Sequence, residues 1–213
     1  MKIFLLIFFL FLIHSNAAFS ENMTVFEFTN EEKKLLKVRK IKKVTTYTLG
    51  SNENGNYLKA EAEGQASGLG MEKKINLLKT PFINITWKVE KDLSGIDERS
   101  KKGHDYAARV FVIKKTGSTA LSNRAINYVF SSNEDVGKFW KSPFTKKSTD
   151  YVLSSTKNNL NEWVTVKTNV RKDFKKIYDL DVEEIEGVAI MTDTDNSKKL
   201  AISYYQNIYF SSE

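Results

Sequence analysis

Two stretches place charge where a β-strand normally carries hydrocarbon: DYAARVFVI from Asp105 and GVAIMTDTDN from Gly187. Alternate residues of a strand fall on opposite faces. One face of the first stretch carries Tyr106, Ala108, Val110 and Val112 and reads as core. The other carries Asp105, Ala107, Arg109, Phe111 and Ile113, beginning charged and ending apolar. In the second stretch Asp193 and Asp195 share a side with Ala189 and Met191. Ionised groups at such positions cost several kcal/mol when left alone, so they require partners, solvent or an ion.

Asp193 and Asp195 would stand roughly 7 Å apart as same-face neighbours on one strand. Their repulsion at an effective dielectric of about 20 is about 2 kcal/mol, enough to call for a counter-charge. Arg109 could supply it, and so could a structural calcium ion, because the Asp, Asp and Asn of DTDN offer several oxygen ligands. The D-x-D-x-D-G loop of a dedicated calcium site is absent, and the sequence leaves the metal unknown. Asp105 and Arg109 lie four residues apart, too far along one strand to touch. Each should pair with a neighbouring strand, and Asp193 is the natural partner for Arg109, whose planar fork suits a carboxylate better than Lys would.

Aromatics and amides form a second group. Tyr128 follows Asn127, and Trp140 sits in the loop-like GKFWKSPF. A sugar takes a flat apolar face to stack on and amides or carboxylates for its hydroxyls, a combination that Asn127, Trp140, Asp193 and Asn196 could offer. The residues expected to bind a ligand are therefore Asp105, Arg109, Asn127, Tyr128, Trp140, Asp193, Asp195 and Asn196. Trp87 shares an apolar strand face and reads as packing. Catalytic motifs are lacking: there is no Ser elbow, no Cys and no H-E-x-x-H. His104, in KKGHD, reads as exposed. Asp105 with Asp193 is the one carboxylate pair worth testing for glycosidic hydrolysis, provided the two face each other across a cleft.

The elements that must hold these groups are mostly strands, because the prevailing period is two. VFEF, VTTYTL, YLKAEAEG, FINITWKVE, DYAARVFVI, AINYVFSS, YVLSS, WVTVKTNV, GVAIMTDT and AISYYQNIYF make about ten, with turn residues between them, the pattern of a sandwich or barrel. In FINITWKVE, Ile83, Ile85, Trp87 and Val89 share one face. A single helix, RKDFKKIYDL, repeats Phe174, Ile177 and Tyr178 at helical spacing, with Asn169 or Asp173 to cap it, and reads as a crossover at one end. EEKKLLKVRKIKK, from Glu31 to Lys43, starts like a helix and ends like a strand.

Residues 1–20 read as a signal peptide: Lys2, an apolar run from Ile3 to Ile13, then small residues before a cleavage site. The run is far short of the roughly 20 residues that span a bilayer, so no transmembrane segment is expected after cleavage, although an uncleaved anchor is the alternative. Residues 21–213 suit one domain. The chain has no Cys, which excludes a lipid anchor on a mature N-terminal Cys and leaves the fold to its core. The formal charge of +7 is concentrated in the Glu31–Lys43 block. That block could meet acidic lipids, polyanionic glycans or protein partners; nucleic acid is not an expected partner of an exported chain without a binding motif.

QASGLG, ITWKVEKDL, DERSKKGHDYAARVFVI, INYVFSS, GKFWKSPF, NVRKDF, AIMTDTDN and YYQNIYF together resemble the bacterial domain-of-unknown-function family numbered 3047, in family order from about Thr45 to Phe210. The resemblance implies an exported protein with a galactose-binding-like jelly roll and carries no established activity. Two departures stand out: His104 precedes Asp105 where the family has paired acids, and Phe130 stands where it has Trp. The reading that results is an all-β, jelly-roll-like antiparallel sandwich with one short crossover helix. It is expected in the periplasm or outside the cell, without a cofactor, binding a carbohydrate or another small polar envelope component. A glycan hydrolase and a structural envelope protein, docking through Lys37, Arg39 and Lys40, are the alternatives.

Overall fold

Alternation of apolar and polar residues builds two sheets that close face to face. The computed structural model describes residues 21–119 and 122–213, so the signal-peptide expectation for residues 1–20 lies outside the described residues. In chain order the elements are β1 (Asn22–Phe26), α1 (Asn30–Leu35), β2 (Lys37–Lys40), β3 (Thr46–Asn52), β4 (Gly55–Glu63), β5 (Ala66–Asn76), β6 (Phe82–Lys91) and β7 (Ala108–Lys114). There follow β8 (Arg124–Ser131), β9 (Phe139–Ser142), β10 (Thr145–Ser155), α2 (Thr156–Asn159), β11 (Val164–Asn169), α3 (Val170–Tyr178), β12 (Glu184–Asp193) and β13 (Leu200–Ser211). No helix among the described residues is long and apolar enough to cross a membrane.

One sheet runs β11-β6-β13-β4-β3, with β1 added on β13; the other runs β2-β5-β12-β7-β8-β10-β9. The chain passes repeatedly from one sheet to the other, at β1 to β2, β2 to β3, β4 to β5, β5 to β6, β6 to β7, β10 to β11, β11 to β12 and β12 to β13, which gives the sandwich its jelly-roll character. The sheets are antiparallel except at β8 and β10, which run parallel. The chain leaves β8, crosses to the sheet edge, and turns back through the hairpin of β9 and β10, so β10 returns in the direction of β8.

Between the sheets lies one core. Ile83, Ile85, Trp87 and Val89 of β6 face Val110 and Val112 of β7, Ile126, Tyr128 and Phe130 of β8, and Ile190 of β12, all fully buried. The expected inward face of FINITWKVE is the observed one. Tyr106 departs from its expected place. β7 begins only at Ala108, so the two-residue period does not extend back to Tyr106, which packs with Val129, Val152 and Trp140 in a separate small cluster.

Among the described residues three helices stand where one was expected. α3 is the crossover: it carries the chain from β11 to β12, Asn169 accepts from Lys172 N at 3.0 Å, and Phe174 enters the core. α1 and β2 resolve the double character of EEKKLLKVRKIKK, helix first and strand after. α1 buries nothing and is held by its ends, Thr29 accepting from Glu32 N while the Glu32 carboxylate accepts from Glu27 and Phe28 N.

Candidate functional site

Residues opposed across a ladder point to the same side of the sheet. Arg109 of β7 opposes Met191 of β12 and Val129 of β8, and Met191 in turn opposes Gly68 of β5. One row along, Phe111 opposes Ala189 and Asn127, and those oppose Gly70 and Asp150. Since the alternate residues form the core, these rows lie on the outer face of the seven-stranded sheet. Small residues at 68, 70, 187 and 189 leave its middle hollow, and a groove of about 710 Å³ results.

Arg109 sits at the charged end. Its Nη2 donates to Asp193 Oδ2, and at 3.4 Å to Met191 Sδ. The expected pairing of Arg109 with Asp193 is present, but not as a two-pronged fork. The guanidinium instead lies between the rings of Tyr106 and Phe111, 5.2 Å from each centroid, and its Nε has no hydrogen-bond partner among the described residues. Tyr205 Oη fixes the backbone beneath, accepting from Arg109 N at 3.2 Å and donating to Met191 O at 2.7 Å.

Asp193 and Asp195 are not strand neighbours. β12 ends at Asp193, Asp195 lies in the following turn, and the oxygens of Asp105, Asp193 and Asp195 all fall within 4.8 Å of one another, closer than strand spacing implies. Asp105 is fully buried and holds that turn, accepting from Asn196 N at 3.2 Å, Asn196 Nδ2 at 2.9 Å and Ser197 N at 2.5 Å. Burial pushes the Asp193 carboxyl up to about 8; Asp105 and Asp195 add to the shift and Arg109 opposes it. Burial also works against the Arg109 charge, but Asp193 and then Asp150 outweigh it and hold the guanidinium above its ordinary value. The three acids are near enough to share a cation. Arg109, however, already takes the counter-charge position beside Asp193 that calcium was considered for, and Asp105 is committed to the turn.

His104 and Asp150 complete this end. His104, expected to be exposed, is buried, with Nε2 2.8 Å from Asp150 Oδ2, while Asn127 Nδ2 donates to Asp150 Oδ1 at 2.7 Å. Asn127 Oδ1 is buried and has no partner among the described residues.

Arg109, Asn127, Asp193, Asp195 and Asn196 all line the groove, together with the unforeseen His104 and Phe144. Asp105 stands behind them and does not. Tyr128 is removed from this end altogether: it neighbours Asn127 and so points inward, where its hydroxyl donates to Asp173 Oδ2 at 2.7 Å. Trp140 is half-buried on the Tyr106 cluster, with Arg99 4.9 Å above its ring, and lies outside the groove lining. Phe111 and Phe144 are the rings that the groove presents.

A family model described as "Protein of unknown function (DUF3047)" matches residues 31–209. The chain belongs to this family. No curated protein matches it. Among solved structures, the DUF3047 fold is similar to the xyloglucanase domain of NopAA, a type three effector from Sinorhizobium fredii, in complex with cellobiose. That match has 11% identity and a TM-score of 0.46, covering 83% of this chain and 92% of that one. It is also similar to TmCBM61 in complex with β-1,4-galactotriose (8% identity, TM-score 0.38, covering 87% and 89%). A third is a cellulase derived from Cel12A of Rhodothermus marinus (8% identity, TM-score 0.44, covering 91% and 97%).

Proposed function

We propose that this DUF3047 protein is a non-catalytic binding module that holds a carbohydrate or another small polar envelope component at the Arg109–Asn127–Asp193 end of the groove. One observation carries the reading: a donor, Arg109 Nε, and an acceptor, Asn127 Oδ1, are buried without partners among the described residues, on two residues that line the same groove. A buried polar atom left unpaired costs about 1–3 kcal/mol, and a hydroxyl can serve as donor to one and acceptor from the other. Asp195, half-buried in the groove lining, adds an acceptor. The groove volume falls within the range of about 300–1,000 Å³ typical of small-molecule sites.

A glycosidase places one carboxyl on each side of the scissile bond. Asp105 and Asp193 do not have that arrangement: they sit side by side, and only Asp193 reaches the groove. Binding without turnover is therefore the better reading. The leader-like residues 1–20 support export to the periplasm or beyond.

A glycan array followed by calorimetry tests the proposal, comparing the unaltered chain with Asn127→Ala. A glycan that binds and is weakened by about tenfold in the variant, whose melting temperature remains usable, supports it. Equal affinity in the two proteins would move the ligand elsewhere.

A further inference from the structure

Three glycines stand inside strands that line the groove: Gly68 and Gly70 in β5 and Gly187 in β12. A strand-interior glycine is costly, because it loses more chain entropy than alanine and packs nothing. Two structural needs commonly explain one, a left-handed backbone or a neighbour too close for a Cβ. None of the three has a positive φ. A Cβ on Gly70 would meet Ala189 Cβ at 3.5 Å, and one on Gly187 would meet Met71 O at 3.6 Å, both ordinary contacts. Only Gly68 is tight, 3.2 Å from Ile190 O. The fold therefore has room for a Cβ at 70 and 187, and what its absence provides is an open floor.

That floor is apolar for most of its length. Leading away from Arg109 along β7 come Phe111 and Ile113, a span of roughly 13 Å at about 3.3 Å per residue. Ile41 and Phe144 stand on the rim, 60% and 57% exposed, large apolar groups held in water beside the groove. The buried polar groups collect at the other end. Lys37 and Arg39 flank the apolar stretch with long stems, Lys37 tied to Glu72 at 2.9 Å. A free oligosaccharide would be served by buried hydroxyl partners along its length; here the buried ones gather at one end, and Lys37 and Glu72 beside the apolar stretch are exposed and paired with each other.

We infer that the ligand is an amphiphile: a hydroxyl-bearing head at Arg109, Asn127 and Asp193, and an alkyl chain lying over Gly70, Ala189 and Gly187 against Phe111 and Ile113. The inference rests on the polar-end reading above and adds the apolar tail.

Calorimetric or NMR titration of the purified chain with methyl, hexyl, octyl and decyl β-glucosides, kept below their micelle concentrations, and with octanoate, tests it. Affinity should rise by at least about tenfold from hexyl to octyl, as two more methylenes leave water. Gly70→Val, in a strand that accepts β-branching, should keep or raise the melting temperature and abolish that gain. Should Gly70→Val misfold, Gly187→Ala gives the same readout with a smaller group. Equal binding of methyl and octyl glucosides overturns the tail and leaves the polar end standing. Octanoate binding as tightly as octyl glucoside, untouched by Asn127→Ala, supports the tail and removes the polar-end reading. No binding of the octyl and decyl glucosides overturns the inference.

Discussion

His104 Nε2 lies 2.8 Å from Asp150 Oδ2, and the other oxygen of that carboxylate accepts from Asn127 Nδ2 at 2.7 Å. One buried acid on β10 thus ties the loop before β7 to the face of β8 and sets the orientation of the Asn127 amide. Asp150→Ala strips two buried groups of their partner at once. It should cost about 2–4 kcal/mol in urea unfolding, with Asp150→Asn losing less, because each orphaned polar group costs about 1–3 kcal/mol. A loss below about 1 kcal/mol for the alanine variant would mean that the two contacts do not form in solution.

Arg109 is the counterpart at the other side of the cluster. Above about pH 8, where Asp193 is ionised, replacing it with Met leaves that carboxylate buried beside Asp105 and Asp195 without its cation, and removing one partner of a buried pair costs about 3–5 kcal/mol. Arg109→Lys should fall between, since Lys keeps the charge but lacks the planar group that sits over Tyr106 and Phe111. The double variant Arg109→Met, Asp193→Leu should regain most of the loss, and a double-mutant cycle measures how much. Additive single effects would show that the pair is not coupled.

The period of two carries much of this fold. It marks the inward face of FINITWKVE, and it brings Arg109 and Asp193 to the same face of adjacent strands, so that their pairing is legible in the sequence. The same rule, applied to Asn127 and Tyr128, separates them: adjacent strand residues cannot both line one face. Asp150 escapes such reading because its burial depends on the parallel pairing of β8 with β10, which follows from how β9 turns back and leaves no mark in local sequence. Glu98 escapes for another reason. It lies in an irregular loop, yet it is buried, accepting from Ser131 Oγ at 2.6 Å and Ser132 N at 2.8 Å, and no periodicity announces a loop anchor. The groove itself is written in glycines. QASGLG holds two glycines, and β5 runs from Ala66 straight through both.

Tyr128→Phe separates stability from binding. The hydroxyl donates to Asp173 of α3, which also accepts from Thr168 Oγ1 at 2.7 Å, away from the groove. Its loss should lower stability by about 1–2 kcal/mol in denaturant unfolding, while any ligand affinity stays the same. A binding defect without a stability loss would return Tyr128 to the site.

Stability should fall as the solution is made more alkaline through neutrality. Burial pushes Asp193 up to about 8, and burial likewise raises Asp173 and Glu98. Unfolded carboxyls titrate near about 4, so above that point the native chain binds more protons than the unfolded one, and the slope of unfolding free energy against pH is negative. The stabilising contribution of Asp193 is complete below its unfolded value and is lost as pH rises through about 8. Calorimetric melting temperatures should therefore decline from about pH 5 to about pH 8.5, and Asp193→Asn, which mimics the protonated acid, should flatten the decline. A melting temperature that rises over the same range would mean that Asp193 is ionised throughout in the native protein, with Arg109 rather than burial dominating its titration.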